Sequence, residues 1–336
     1  MISNLITPCG YMKLVLPNPP ERTTDTFGRF QYTVHRNGPA TIINRGPLTK
    51  CTIASHVNDL VPLLREEVRL GKTVIFIIAD GGCNFHVGHA SNLLYYCRLF
   101  RDLKLDALII TSYAPGQSAL NPIEHVWSPC TNALASVSLP DKLPGESICP
   151  WHQDIPEEEM AGKECKVYDQ AMEELGEYLK HVEFGGFPIQ LSHIPSAVTE
   201  ESPYSDYNET YKVMSSNSGK VYRESHLVEE VEFMLRHVDK RIGFLSFAKC
   251  RDALCHHCQG NPIQAHDVMQ HIFHDGGGFP SPVPSKDRDG HFLTFHEVMN
   301  LPAWDTDDTE MQQSLGRCSI CRAYTALHSH LVVKRN

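Results

Sequence analysis

Apolar positions along the chain change period repeatedly, and each change predicts an element. Residues 12–16 (MKLVL), 29–35 (RFQYTVH) and 40–44 (ATIIN) read as three short strands separated by turn residues. From Asp59 to Leu70 the pattern becomes helical. Leu60, Val61, Leu64 and Val68 form an apolar stripe, with Val57 just ahead on the same side. Asn58 or Asp59 serves as N-cap, Pro62 is acceptable in a first turn, and Gly71 marks the stop. Residues 74–79 (VIFIIA) are continuously apolar and rich in β-branched side chains, which suits a strand buried on both faces. Residues 90–103 predict a helix, 106–111 (DALIIT) a second buried strand, and 122–136 a helix opened by Pro122.

Strands followed by helix–strand–helix–strand–helix imply an α/β protein: a mixed sheet flanked by helices, with parallel pairing inside and an antiparallel edge from the leading strands. Beyond Leu139 the pattern weakens. Residues 140–156 are a Pro-bearing connector, 157–182 a charged helix, 195–222 a long polar loop, 225–238 a helix and 242–248 a strand. From Cys250 onward Cys, His, Gly and Pro dominate, and such a segment usually needs a metal to hold it. Three regions are therefore expected, at 1–140, 141–249 and 250–336.

Composition narrows the setting. With 336 residues, 41% of them hydrophobic, the chain can bury ordinary cores in more than one domain. It holds no apolar run long enough to span a bilayer, and its N-terminus lacks a signal-peptide pattern. A nuclear or cytoplasmic protein without membrane association, not secreted, is the expectation. Of 12 cysteines, seven are scattered from Cys9 to Cys165 and five fall between Cys250 and Cys321. That reads as free thiols in the first half and metal ligands in the second. A net charge of −10 argues against a surface that binds nucleic acid throughout, though a local basic groove from Arg98, Arg101 and Lys104 beside Asp80 would suffice.

Two carboxylates stand out by position. Asp80 follows directly on the VIFIIA strand, and in open α/β sheets ligands gather at the carboxyl ends of strands. Glu124 begins the helix that follows the next strand. Together they are candidate catalytic residues and candidate Mg2+ ligands, since carboxylate-held Mg2+ activates and stabilises oxygens in phosphoryl transfer. By position alone Asp80 equally suits a turn before Gly81-Gly82, and Glu124 a favourable first-turn acid.

ADGGCNFH, from Ala79, and SYAPGQSALNPIEHVWSP, which contains Pro115, Gly116, Ser118, Asn121, Pro122, Glu124, His125 and Trp127, resemble two sequence blocks of mariner-like DDE transposases. The likeness is closest to transposase-derived animal proteins with a cysteine-bearing tail. It covers 80–139 strongly and, through the order of elements, about 12–139. It implies a ribonuclease-H-like core, Asp80 and Glu124 as metal-binding carboxylates, Mg2+-dependent DNA strand cleavage and transfer, and DNA as partner. The family's first catalytic aspartate has no counterpart in MKLVL; Asp25 and Asp59 are poorly placed for it. No helix-turn-helix module is recognisable either. These departures imply an inactive relative.

The second constellation is Cys250-x4-Cys255-x2-Cys258 with Cys318-x2-Cys321. A Cys-x2-Cys knuckle has the bite for tetrahedral Zn2+. Either Cys255, Cys258, Cys318 and Cys321 form one long-range site, or there are two sites. In the second case Cys250, Cys255 and Cys258 take a histidine such as His257 or His266, and Cys318 and Cys321 take His328 or His330. His291, His296 and Glu297 lack helical ligand spacing, and Gly276-Gly277-Gly278 lacks the context of a phosphate loop. Three functional readings follow: a transposase-type nucleotidyltransferase, an inactive relative using fold and zinc to bind nucleic acid or protein, or a remnant of a mobile element.

Overall fold

A computed structural model describes residues 6–15, 21–24, 30–32, 35–46, 49, 51–80, 85, 90–112, 121–196, 227–241, 244–250, 252–273, 316–317 and 324–325. The elements in chain order begin with strands β1 (Thr7–Tyr11), β2 (Leu14–Val15), β3 (Arg22–Thr24), β4 (Phe30–Tyr32), β5 (His35–Arg36) and β6 (Thr41–Arg45). Helix α1 (Ile53–Arg69), β7 (Val74–Ala79), α2 (Ala90–Asp102), β8 (Ala107–Ser112), α3 (Glu124–Ala133) and α4 (Glu157–Leu179) follow. Then come β9 (Glu183–Phe184), β10 (Phe187–Pro188), β11 (Gln190–Ile194), α5 (Val228–His237), β12 (Val238–Arg241) and β13 (Phe244–Ala248). Helices α6 (His256–Gly260) and α7 (His266–Phe273) and the paired strands β14 (Gly316–Arg317) and β15 (Tyr324–Thr325) complete the described set.

By contacts the chain divides into two units, each assembled from two separate stretches: 1–59 with 116–203, and 60–115 with 204–336. The first is built on a three-stranded sheet in the order β1-β6-β11, with β1 antiparallel and β11 parallel to β6. One face carries Ile42, which joins Val126 and Cys130 of α3 and Leu175 and Leu179 of α4 in a buried core. Trp127, from the second of the two sequence blocks, packs on the same core. It lies so near β1 that a Cβ on Gly10 would stand 2.9 Å from its ring, so that strand position accepts only glycine without a shift.

The second unit has a four-stranded sheet, β12-β13-β8-β7. Strands β7 and β8 run parallel, as the intervening helix requires, and β13 lies antiparallel on β8. Ala107 and Ile109 pack with Met269 of α7, Val74, Ala248 and Ile263. Phe247, on the alternate side-chain register, stacks on Phe100 of α2 at 6.0 Å.

The mixed α/β character expected from the sequence is present. The single sheet is not: the leading strands build the first unit's sheets, and β8 takes its antiparallel neighbour from the late strand β13. β7 matches its expected span, but it ends the sheet instead of lying inside it. Phe76 and Ile78 are 51% and 41% exposed, so the strand is not buried on both faces. Helix α1 begins at Ile53, earlier than Asp59, because Thr52 caps it through a reciprocal pair with Ser55. Pro62 therefore sits in the helix interior, and Asp59 is not a cap but a buried partner of Arg45. The charged helix at Glu157–Leu179, the helix ending at His237 and the strand Phe244–Ala248 fall within the expected spans. Most of the polar loop expected at 195–222 lies outside the described residues.

Candidate metal centre

Cys250, Cys255 and Cys258 come together in the second unit, joined by His237. Each position follows from a local feature. His237 is the last residue of α5. The chain then turns through β12 and back along β13, with Val238 opposite Phe247, and this return brings Cys250 to the helix end. Cys255 precedes α6 and Cys258 lies within it, so their spacing makes one compact knuckle.

The four donor atoms all lie within 4.8 Å of one another. His237 Nε2 is 3.3 Å from Cys258 Sγ and 3.6 Å from Cys255 Sγ. The sulfurs of Cys250 and Cys258 are 3.8 Å apart. Zinc bonds of about 2.3 Å to sulfur and 2.0–2.1 Å to nitrogen, at tetrahedral angles, separate such donors by roughly 3.5–3.8 Å. The cluster is thus spaced for one tetrahedral ion and compatible with zinc.

Its surroundings suit a cation too. His237 Nδ1 is 2.6 Å from the carbonyl oxygen of Phe233. A carbonyl only accepts, so Nδ1 carries the proton and Nε2 presents its lone pair to the sulfurs. Burial holds the His237 pKa below its usual value and favours the neutral ring a ligand must be. Burial also opposes ionisation of Cys255, but the Cys258 N–H, the Cys250 thiol and Arg236 together hold its pKa below the ordinary value. The Cys258 thiol is pushed up to about 12 by burial. A divalent ion would supply the positive charge that ionising these buried sulfurs needs.

The centre is anchored to the sheet through its neighbour Lys249. Lys249 Nζ donates to Asp106 Oδ1 at 2.6 Å, with both side chains essentially buried. Asp106 Oδ2 accepts from Thr73 Oγ1 at 2.7 Å and from the backbone N–H groups of Gln264 and Ala265 at 2.9 and 2.7 Å. One carboxylate therefore fixes the start of β8, the end of β13 and the segment entering α7.

Two histidines expected as ligands do not serve. His257 stands edge-on to Phe233, with ring centroids 5.1 Å apart, and His266 opens α7 outside the cluster. The histidine that joins the three cysteines is His237, 13 residues before Cys250. Its only sequence signal is a helix-ending histidine just before a strand pair that returns to the cysteines. Cys318, Cys321, His328 and His330, with His291, His296, Glu297 and Gly276 to Gly278, lie outside the described residues.

The carboxylates fall in different units. Asp80 is exposed directly after β7 in the second, and Glu124 is half-buried at the first position of α3 in the first. Within neither unit do they share a site. Pro115, Gly116 and Ser118, and most of the block after Asp80, lie outside the described residues. The proposed basic groove loses two of its members. Arg98 is buried against Glu230 at 2.6 and 2.8 Å, and Arg101 pairs with Asp102 and Glu230. Glu230, on α5, thus ties the helix that ends in His237 to α2.

The fold and cluster define a mixed α/β protein with a Cys3His metal-type centre. Compared with known proteins, the chain matches no family model, no curated protein and no solved structure. Among the described residues, no helix is long and apolar enough to cross a membrane.

Proposed function

We propose that the protein is a zinc-stabilised binding scaffold in which the ion has a structural role. The observation that carries this reading is the complete N1S3 donor set at tetrahedral spacing. Four protein ligands close the coordination sphere, whereas a catalytic zinc keeps a position for water or substrate. The test is elemental analysis of the purified chain. Changing both Cys255 and Cys258 to Ser should remove one equivalent of zinc per chain. An unchanged zinc content, or a zinc-free wild-type protein that keeps its thermal transition, would refute the assignment.

A second reading is that of a transposase-derived, DNA-associated protein, ancestrally a Mg2+-dependent strand-transfer enzyme and inactive here. It is supported by the parallel β7–β8 pair, which leaves Asp80 exposed just past a strand's carboxyl end, as well as by the two sequence blocks. A protein of this kind binds duplex DNA with an affinity that falls steeply with salt. It also fails to nick DNA in Mg2+. Salt-independent binding would count against DNA as partner. Nicking abolished by Asp80→Asn would instead show an active enzyme.

A further inference from the structure

A second cluster occupies the first unit, on the sheet face opposite Ile42. In the antiparallel register Thr7, Cys9 and Tyr11 alternate to one side of β1, and Arg45, opposite Thr7, shares that side. Cys51 lies just before α1, and His56 and Asp59 are one turn apart on it. The sulfurs of Cys9 and Cys51 are 3.1 Å apart, and Cys51 Sγ is 3.2 Å from His56 Nε2. The Tyr11 hydroxyl is 2.7 Å from His56 Nδ1 and donates to Asp59 Oδ2 at 2.6 Å. Arg45 holds both oxygens of Asp59, at 3.0 and 2.7 Å.

Counting protons assigns the roles. Asp59, ionised against Arg45, only accepts. Burial, with the Asp59 charge, pushes the Tyr11 hydroxyl far above its usual range, so it keeps its proton and directs it to Asp59. The Tyr11 oxygen then accepts from His56 Nδ1–H, and Nε2 faces Cys51 as the basic nitrogen of the ring. Once Cys51 gives its proton to Nε2, its thiolate lies between two donors, the Cys9 S–H and the His56 Nε2–H. The Cys9 hydrogen bond, ahead of the opposing effect of burial and with help from His56 and Arg45, lowers the Cys51 pKa to about 5. The same bond and burial push Cys9 up, so the proton stays there. At 3.1 Å the two sulfurs also stand closer than the roughly 3.8 Å that a tetrahedral zinc imposes on a pair of thiolates, and which Cys250 and Cys258 keep. The contact favours sulfur-to-sulfur chemistry over an ion between the groups.

We propose that Cys51 is a hydroperoxide-reactive thiolate and Cys9 its resolving thiol, closing a disulfide that ties β1 to the head of α1. Cys51 is partly exposed and Cys9 buried, so an oxidant meets Cys51 first. The thiolate attacks one peroxide oxygen and the O–O bond breaks. The departing oxygen takes the proton from His56 Nε2 and leaves as water or an alcohol, and Cys51 becomes a sulfenic acid. Cys9 then attacks the Cys51 sulfur, its proton leaves with the hydroxyl as water, and the S–S bond forms. Two thiols supply the two electrons that reduce one hydroperoxide, and a dithiol reductant restores the pair.

The test uses the full-length, zinc-loaded chain and hydrogen peroxide, followed by blocking of free thiols and tryptic mass spectrometry. The expected product links the peptide of residues 1–13 to that of residues 51–65. In Cys9→Ser, a sulfenic-acid probe should label Cys51. Without any substitution, alkylation of Cys51 should stay nearly constant from pH 6 to pH 8. Cys149, whose thiol is pushed up by Asp141, should instead speed up about tenfold per pH unit as its small thiolate fraction grows. His56→Gln should restore part of that climb at Cys51, since the Cys9 S–H still faces the thiolate. Parallel pH profiles for Cys51 and Cys149, or peroxide-induced linkage of Cys51 to cysteines other than Cys9, would overturn the proposal. Loss of a zinc equivalent in Cys51→Ser would overturn it too, by showing a metal centre.

Discussion

At the scale of single residues, the second unit depends most visibly on Asp106. In the sequence it reads only as the polar start of a strand, because its four partners come from positions 73, 249, 264 and 265. Asp106→Asn would keep the shape but set an NH2 group against either Lys249 or two backbone N–H donors, and leave a buried ammonium without a counter-charge. Breaking such a pair costs about 3–5 kcal/mol, a loss that chemical denaturation should register. The pH dependence has a definite sign. Burial alone would raise the Asp106 pKa, but Lys249, Thr73 and the two N–H groups outweigh it and hold the carboxyl below its usual range. A carboxylate with a depressed folded pKa stabilises the fold above its unfolded value of about 3.9, and this contribution disappears as pH falls through the folded value. Wild-type stability should therefore drop on acidification below about pH 4. The Asn variant, having already lost this contribution, should show a shallower acid limb.

At the scale of elements, periodicity found most helices and three of the four strands of the second unit's larger sheet, missed β12, and erred where one residue type has two meanings. In the sequence Pro62 suits a first turn, which would start α1 at Asp59. The cap is Thr52, and Ile53, Val57 and Leu60 form the buried stripe ahead of the proline. Pro62 thus lacks the N–H that would reach the Asn58 carbonyl, and its ring crowds that carbonyl. Pro62→Ala should restore the bond. Proline in a helix interior is about 3 kcal/mol worse than alanine. Greater freedom of the unfolded chain returns roughly 0.4–1 kcal/mol of that gain. A net stabilisation of about 2–2.5 kcal/mol is expected, measurable as a higher denaturation midpoint with no change in the denaturant slope. A lower midpoint would mean that the packing of α1 requires the proline ring. β7 shows a different limit. Its apolar composition was legible, but strand order decides whether such a run lies inside a sheet or at its end, and strand order depends on β13, more than 130 residues away.

At the scale of the whole molecule, the cysteine knuckle was legible because Cys255-x2-Cys258 is local, and the histidine beside it was not because His237 and Cys250 meet only through the β12–β13 return. The same distinction applies to the cluster of Cys9, Cys51 and His56, whose members read as isolated residues until β1 pairs with β6 under α1. Each unit has its own buried core, and the Cys3His centre belongs to only one of them. Removing zinc should therefore act unevenly. Cysteine sulfurs left without an ion would regain protons and would no longer hold α5, the end of β13 and α6 at one point. Because Lys249 adjoins Cys250, loosening there should spread to the Asp106 carboxylate and so to the start of β8. Hydrogen exchange with and without a strong chelator can follow this. Protection should fall first in α5, α6 and residues 249–265, and then in β8 and β13. Amides of β1, β6 and β11 should change little, since their ladder and the α3–α4 core contain no zinc ligand. Equal loss of protection in both sheets would show that the two units fold as one cooperative structure.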